Sequence, residues 1–215
     1  MNILIIAATK LEIPSLIQFS KRQRTIDILI SGIGGAATTY ALTKALAEKK
    51  YDLLIQAGIA GSFSKKLSLG TTAVVGADCF GDIGVVEDKV WRSVFDLQLM
   101  QVNERPFSNG WLVNPHKRLL KAAGVPVVRS VTVNEISTDK RTIAYFGTKL
   151  EAVTESMEGA AFHYVALREK IPFLQIRSLS NRVGERNKSQ WQIKESVQHL
   201  NQTVLKLIHE MHNQQ

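Results

Sequence analysis

Short apolar runs alternate with longer helix-like segments along this chain, and that alternation limits its fold more than any other feature. The strand-like runs are residues 1–8, 26–30, 51–56, 71–75, 125–128 and 172–178. The helix-like segments are residues 36–49, 115–123, 159–170 and 194–211. Buried strands that alternate with helices predict an α/β fold with a largely parallel central sheet. Because no linker, low-complexity tract or repeat interrupts the pattern, we expect one domain over residues 1–215.

The cysteine and histidine content argues against disulfides and metal sites. Cys79 is the single cysteine, and the five histidines are scattered without metal-ligand spacing. We therefore expect a reducing cytoplasmic setting, no metal and no cofactor. The first residues lack a basic leader, and no apolar run approaches the about 20 residues that a membrane span needs. The sequence therefore predicts a soluble protein with no membrane contact.

A formal net charge of +8 raises the question of a nucleic-acid partner. The lysines and arginines are interleaved with acids and form no basic stripe with aromatic partners. We therefore predict no nucleic-acid binding and interpret the charge as a solvated basic surface. The narrower alternative is a positive field that attracts an anionic small substrate.

Residues 32–37 have the G-x-G-x-x-A spacing of a dinucleotide-binding turn, and Asp52 follows at about the expected distance. The context differs from that motif, because a second strand already precedes the glycines and Asp52 begins a strand. We therefore reject a nicotinamide or flavin site. We interpret this turn and the glycine-rich segment 58–61 as strand-to-loop transitions, the first with backbone N–H groups able to face a polar ligand.

Two acids and one amide lie where predicted strands end. Glu12 follows the first strand, Glu158 opens the helix at 159, and Asn181 follows the last strand. Ligands of open α/β sheets bind outside the carboxyl ends of the strands, so these groups are candidates for a ribose-and-base site. An amide can donate and accept at once, which suits the ring nitrogen and exocyclic oxygen of a 6-oxopurine. The structural alternatives are helix-start acids and a turn-forming asparagine.

Two further regions admit two interpretations each. Arg182 and Arg186 lie in a basic loop beside Asn181, which is either solvated or a guanidinium fork for a substrate carboxylate. Residues 79–109 are loop-rich and aromatic. In one interpretation they cover a site or contact a partner chain, and in the other they form a satellite cluster packed under a long loop. His163, inside a helix-like segment, is interpreted as a structural histidine.

The segments 5–12, 31–37, 58–61, 156–161 and 177–181 together resemble the nucleoside phosphorylase/nucleosidase superfamily. Within it the chain is most similar to the futalosine hydrolases, nucleosidases of a route to menaquinone, through residues 80–84, 155–161 and 180–184 with Arg186 and Trp191. The resemblance implies a single-domain three-layer sandwich with a mixed, largely parallel central sheet, and a homo-oligomer. It also implies hydrolysis of the N-glycosidic bond of futalosine, with release of hypoxanthine.

The resemblance assigns roles to individual residues. Glu12 would activate the attacking water and Asn181 would stabilise the departing base, and these are the two catalytic residues. Glu158 would accept hydrogen bonds from the ribose hydroxyls, and Met157 would pack beneath the sugar. The substrate-binding residues that the resemblance implies are Ile59, Gly61, Phe80, Ile136, Met157, Glu158, Ser180, Arg182 and Arg186.

Three departures separate this chain from the similar methylthioadenosine/S-adenosylhomocysteine nucleosidases. Those enzymes have Asp at the position of Asn181, Ser at that of Ile59 and an aromatic residue at that of Glu135. The differences disfavour an adenine nucleoside as substrate. Such a nucleosidase, a purine nucleoside phosphorylase and a non-catalytic nucleoside-binding protein remain the alternatives.

Overall fold

The computed structural model describes residues 1–88 and 90–212 and is built around one large sheet. The strands are β1 (Ile3–Ala7), β2 (Ile26–Ile30), β3 (Leu53–Ser62), β4 (Thr72–Phe80), β5 (Gly84–Glu87), β6 (Val90–Ser93), β7 (Leu112–Val113), β8 (Val127–Thr132), β9 (Thr154–Ser156) and β10 (Phe173–Arg182). The α-helices are α1 (Pro14–Ser20), α2 (Gly35–Glu48), α3 (Lys117–Ala122), α4 (Lys140–Ala144), α5 (Gly159–Glu169) and α6 (Ile193–His212).

Five strands of the sheet close into a ring, and two more extend from it. β3 pairs in parallel with β10, β10 antiparallel with β4, β4 in parallel with β8, β8 in parallel with β9, and β9 antiparallel with β3. β1 pairs in parallel with the first part of β3, on the edge that pairs with β9 at the other end of the strand. β2 pairs in parallel with the free edge of β1. The short β7 adds to β4, and β5 and β6 form a separate hairpin.

Helices cover both faces of this sheet because successive strand side chains point to opposite sides. Ile3 and Ile5 pack with α1, α3 and α6 in one buried cluster, which includes Leu16, Leu120, Leu200 and Val204. Leu4 and Ile6 pack with α2 and α5 in a second cluster, which includes Leu42 and Phe162. The predicted three-layer α/β arrangement with a mixed, largely parallel sheet is confirmed.

The longest helix, α6, lies along one face of the sheet with a buried and a solvated side. Leu200, Val204 and Ile208 are buried, whereas Lys206 and Glu210 form an exposed pair at 3.8 Å. Each helix in residues 1–88 and 90–212 is too short or too polar to span a lipid bilayer.

The segment 58–61 corrects one sequence prediction, because it lies inside β3 and is not a strand-to-loop transition. β3 continues because β10 pairs with it along this half and β9 pairs with its last two residues. Glycine at 58 serves close packing, since a Cβ there would lie 2.3 Å from Arg177 Nη1 and 2.9 Å from Glu12 Oε1. The segment 32–34, by contrast, leaves β2 as predicted and connects it to α2, and Gly32 and Gly34 have φ of 84° and 93°.

Candidate active site

The candidate residues gather along the second half of β3. β1, β3 and β10 are parallel, so their carboxyl ends lie at one edge of the sheet. Arg177 of β10 is paired with Gly58 of β3, and Asn181 is paired with Gly61 after a bulge in β10. Glu12 reaches the same stretch of β3 from the turn after β1.

Glu12 is held by three donors from two parts of the chain. Its Oε2 accepts from the Thr9 backbone N at 3.0 Å and from Thr9 Oγ1 at 3.2 Å, and its Oε1 accepts from the Ile59 backbone N at 3.1 Å. The carboxylate is thus directed to β3 and not to the first turn of α1, which disfavours the helix-start interpretation. Burial raises the pKa of Glu12 above its ordinary value, although Arg177 and the backbone donors oppose the shift.

Glu158 occupies the N-cap position of α5, yet its carboxylate bonds elsewhere. Oε1 accepts from the Gly34 backbone N at 3.1 Å, and Oε2 lies 3.4 Å from Arg177 Nη2. The first N–H groups of α5 are satisfied by other side chains: Gly159 N donates to Ser156 Oγ at 3.3 Å, and Ala160 N donates to Thr132 Oγ1 at 2.7 Å. This arrangement directs the buried acid toward the candidate site.

Arg177 is the central residue of this group, and the sequence prediction missed it. Its side chain is only 2% exposed, and Nη2 donates to Gln56 Oε1 at 3.1 Å as well as to Glu158. Its Nη1 and Glu12 Oε1 both border the space left by Gly58. The guanidinium therefore joins the two acids electrostatically. A lone arginine within an apolar strand was the available signal, because a charge is rarely buried without a partner.

Asn181 lies in β10 and not in a turn, with hydrogen-bonding capacity to spare. Oδ1 accepts from Ser180 Oγ at 2.8 Å, and Nδ2 donates to the Arg182 carbonyl at 3.0 Å. An amide has two N–H groups and two lone pairs on oxygen, so one donor and one acceptor remain for a ligand. Nδ2 lies 3.7 Å from the position of a Cβ built on Gly61.

Three other predicted binding residues, Met157, Ile136 and Phe80, lie on different elements. Met157 is half-buried immediately before Glu158, and Ile136 is 42% exposed in the loop after β8. Phe80 ends β4 and lines an apolar cavity of about 580 Å³, and most of the wall of this cavity comes from residues 79–111. The described residues that line this cavity do not include Glu12, Glu158 or Asn181.

The region predicted as an aromatic insertion forms the wall of that cavity. Phe95 and Phe107 pack edge to face with ring centroids 5.3 Å apart, and the β5–β6 hairpin contributes Trp91. Tyr164 of α5 closes another side. The region therefore packs as an aromatic cluster around an apolar space.

Two arginines have contacts that change their interpretation. Arg182 donates to Ser62 Oγ at 3.1 Å, to the Ser64 carbonyl and to the Leu67 carbonyl at 3.0 Å. Its guanidinium fork thus holds the loop after β3, which leaves little for a substrate carboxylate. Arg186 is exposed and lies over the Trp191 ring at 5.5 Å. Arg186 therefore remains the better placed of the two for a substrate anion.

His163 is a buried core residue. It is fully buried in α5, and its Nδ1 lies 2.9 Å from the Leu112 carbonyl, to which the neutral ring donates. Burial lowers the pKa of His163 to about 4, which keeps the ring neutral. These contacts agree with the structural interpretation made from the sequence.

Comparisons with known proteins agree with this architecture. A model of the Phosphorylase superfamily matches residues 16–212. The futalosine hydrolase of Streptomyces coelicolor is 32% identical over 190 residues, which cover 84% of this chain and 77% of the relative. The native futalosine hydrolase of Helicobacter pylori superposes with a TM-score of 0.79 at 17% identity and covers 98% of both chains.

A mutant methylthioadenosine/S-adenosylhomocysteine nucleosidase of Helicobacter pylori, with 5′-methylthioadenosine in its active site, also has this fold. Its TM-score is 0.82 at 17% identity, over 97% of this chain and 98% of that one. The superfamily match over most of the sequence and the relative above 30% identity lead to one assignment: this chain belongs to the Phosphorylase superfamily, within its futalosine hydrolase family.

Proposed function

We propose that this protein hydrolyses the N-glycosidic bond of futalosine and releases hypoxanthine and dehypoxanthine futalosine. The observation that carries the proposal is the meeting of Glu12 and Glu158 around Arg177 and Gly58, with the Asn181 amide on the same strand pair. The sequence similarity to futalosine hydrolases over most of the chain supports the same substrate. Adenine nucleosides are the alternative, supported by the fold similarity to a nucleosidase that holds 5′-methylthioadenosine.

Glu12 is the group that activates water in this mechanism. Three donors hold its carboxylate in one orientation, and Oε1 keeps one lone pair for a water proton. As the bond between the anomeric carbon and the purine nitrogen breaks, water oxygen bonds to that carbon and its proton passes to Glu12. The sugar carries positive charge in the transition state, which nearby carboxylates stabilise.

Glu158 and Asn181 bind the two parts of the substrate that separate. Glu158 accepts hydrogen bonds from the ribose hydroxyls, and the sugar packs on Met157. The electron pair of the broken bond moves into the purine. A proton from solvent joins a purine ring nitrogen, and the proton taken up by Glu12 returns to solvent. Asn181 stabilises the departing base, since its free N–H donates to the exocyclic oxygen and its free Oδ1 lone pair accepts from the protonated ring nitrogen.

The decisive experiment is product identification with the purified protein. Futalosine, inosine and 5′-methylthioadenosine are each incubated with and without phosphate, and the free base and sugar product are measured. We expect hypoxanthine from futalosine at the same rate with and without phosphate. Phosphate-dependent release with a sugar phosphate product would identify a phosphorylase, and release of adenine alone would identify the adenine-specific alternative. Binding without turnover would identify a non-catalytic protein.

The raised pKa of Glu12 predicts the acid side of the pH profile. A general base works only when ionised, so kcat/KM should fall as pH decreases through the pKa of Glu12. Since burial raises that pKa above its ordinary value of 4.5, the fall should begin at a higher pH than for an exposed glutamate. A pH series of kcat/KM on futalosine measures this limb.

The control for the pH profile is Asp78→Asn. Burial raises the pKa of Asp78 to about 6, so this second acid could also produce an acid limb. We expect the limb to keep its position in Asp78→Asn. A limb that disappears in this variant would transfer the titration to Asp78 and contradict the role of Glu12.

A reducing cytoplasmic setting and a homo-oligomer complete the proposal. Cys79 is a free, buried thiol.

Large apolar side chains near Glu12 and the Gly34 turn are exposed, namely Leu11 at 83%, Ile33 at 64% and Tyr40 at 71%. A second copy of the chain that covers them would reduce this exposed apolar surface. A small nucleoside remains the ligand, with no nucleic acid or membrane involved.

A further inference from the structure

Asn201 of α6 is bonded to the segment that carries Glu12, although the two residues are 189 positions apart in the chain. Its Nδ2 donates to the Glu12 carbonyl oxygen at 2.8 Å and to the Val197 carbonyl oxygen at 2.6 Å. Its Oδ1 accepts from the Leu16 backbone N at 3.2 Å. Two carbonyls require the N–H side of the amide and one N–H requires its oxygen, so these partners determine the orientation of the side chain. The residue is only 2% exposed, so water has little access to replace these bonds.

The turn between β1 and α1 is held weakly by its own backbone. Its two internal bonds, donated by the backbone N–H groups of Glu12 and Ile13, are both 3.4 Å long, which is beyond the usual range for N–H···O bonds. Helix α1 adds little, because it has only 7 residues and its N-cap residue Ile13 makes no side-chain hydrogen bond. Leu16 is fully buried, so without Asn201 its N–H in the first turn of α1 would lack an acceptor.

Asn201 connects this turn to the central sheet. It lies within the 20-residue helix α6, which packs on β3 and β10. The residue before it, Leu200, belongs to the same buried cluster as Ile13. The Glu12 carbonyl is therefore fixed relative to β3, whose Ile59 backbone N donates to the Glu12 carboxylate.

We propose that Asn201 is a positioning residue for hydrolysis, which holds the backbone of Glu12 so that its carboxylate reaches the attacking water. The inference rests on the proposed function, since Asn201 acts through the group that activates water there. The bonds from Thr9 and Ile59 orient the carboxylate, but they form only where the Glu12 backbone stays in place. A displacement of about 1 Å of a catalytic group can cost about 100-fold in rate. Loss of the Asn201 amide should therefore slow the chemical step and leave substrate binding by Glu158 intact.

The test compares Asn201→Leu with Asn114→Leu in the hydrolysis of futalosine. Asn114 is the matched control because it is also 2% exposed, donates to the Phe173 carbonyl at 2.7 Å and accepts from the His116 backbone N, near the start of α3, at 2.9 Å. Phe173 begins β10, at the opposite end of that strand from Asn181. Both variants should lose stability, so each rate is divided by the folded fraction that circular dichroism gives. Only Asn201→Leu should then lower kcat, by about 10- to 100-fold at a similar KM.

A double-mutant cycle with Glu12→Gln shows whether Asn201 acts through Glu12. Glu12→Gln lacks the base that Asn201 is proposed to position, so the addition of Asn201→Leu should lower its kcat by less than about twofold. The same fold-loss with and without Glu12→Gln would overturn the proposal. An unchanged kcat in Asn201→Leu, or an equal loss in Asn114→Leu, would also overturn it.

Failure of the proposed function has a different signature, which is a wild type that releases no hypoxanthine from futalosine. If that wild type cleaves inosine or 5′-methylthioadenosine, the cycle is measured on the nucleoside that is cleaved, and the same outcomes decide. A wild type that cleaves none of the three overturns the proposed function and the role of Asn201 together. Where Asn201→Leu does not fold, Asn201→Ser and Asn114→Ser, whose smaller side chains admit water, replace the two variants.

Discussion

Glu12→Gln is expected to lower kcat for futalosine hydrolysis by about 10³-fold, within the range for loss of a positioned general base. Glutamine keeps the shape of the side chain and can still accept from the backbone N of Ile59. It cannot take a proton from water at neutral pH. Single-turnover assays that follow hypoxanthine release measure the chemical step directly.

The binding of a ligand separates this loss from misfolding. Glu12→Gln should bind futalosine with an affinity close to that of the wild type, measured by calorimetry. Glu104→Gln, at an exposed position, is the control variant and should retain full activity. If Glu12→Gln keeps more than about a tenth of the activity, the residue orients water at most, and another group serves as the base.

Arg177→Met is expected to lower the free energy of unfolding by about 3–5 kcal/mol, the usual cost of removing one partner of a buried ion pair. The arginine is 2% exposed and its partner Glu158 is 7% exposed, so the change leaves a carboxylate buried without its cation. Gln56 Oε1 would lose its donor as well. Urea denaturation followed by circular dichroism measures the change.

Two variants test the buried-charge explanation. Lys206→Met removes one partner of an exposed pair on α6 and should cost less than about 1 kcal/mol. The double variant Arg177→Met with Glu158→Gln removes both charges, so it should recover part of the stability lost in Arg177→Met. A double variant less stable than Arg177→Met would show that lost packing, and not the unpaired carboxylate, dominates.

The sequence predicted the starts of the main strands and most of the long helices because their apolar spacing is local. It did not predict the second half of β3, where glycines looked like a turn but lie within a paired strand. It also missed β9, since the three residues Thr154–Ser156 carry too short a pattern. Both errors concern the ring of five strands, whose closure depends on pairing between distant segments.

The same limit applies to the candidate site. Glu12, Glu158 and Asn181 could be predicted because each follows or precedes a recognisable element. Arg177 could not, because its significance depends on facing Gly58 across two strands. Arg182 shows the reverse case. Its charge beside Asn181 suggested a ligand contact, and only the fold reveals that backbone carbonyls occupy its guanidinium.

At the start of α5, the side chains that bond the first N–H groups of the helix differ from the side chain proposed to bind the sugar. Ser156 and Thr132 bond the first N–H groups, so the helix does not depend on the Glu158 carboxylate at its terminus. An engineer could exchange that acid for its amide, which keeps an acceptor for Arg177, without unravelling the first turn. Variants at this one position thus offer a route to nucleosides with altered sugar hydroxyls on an otherwise intact scaffold.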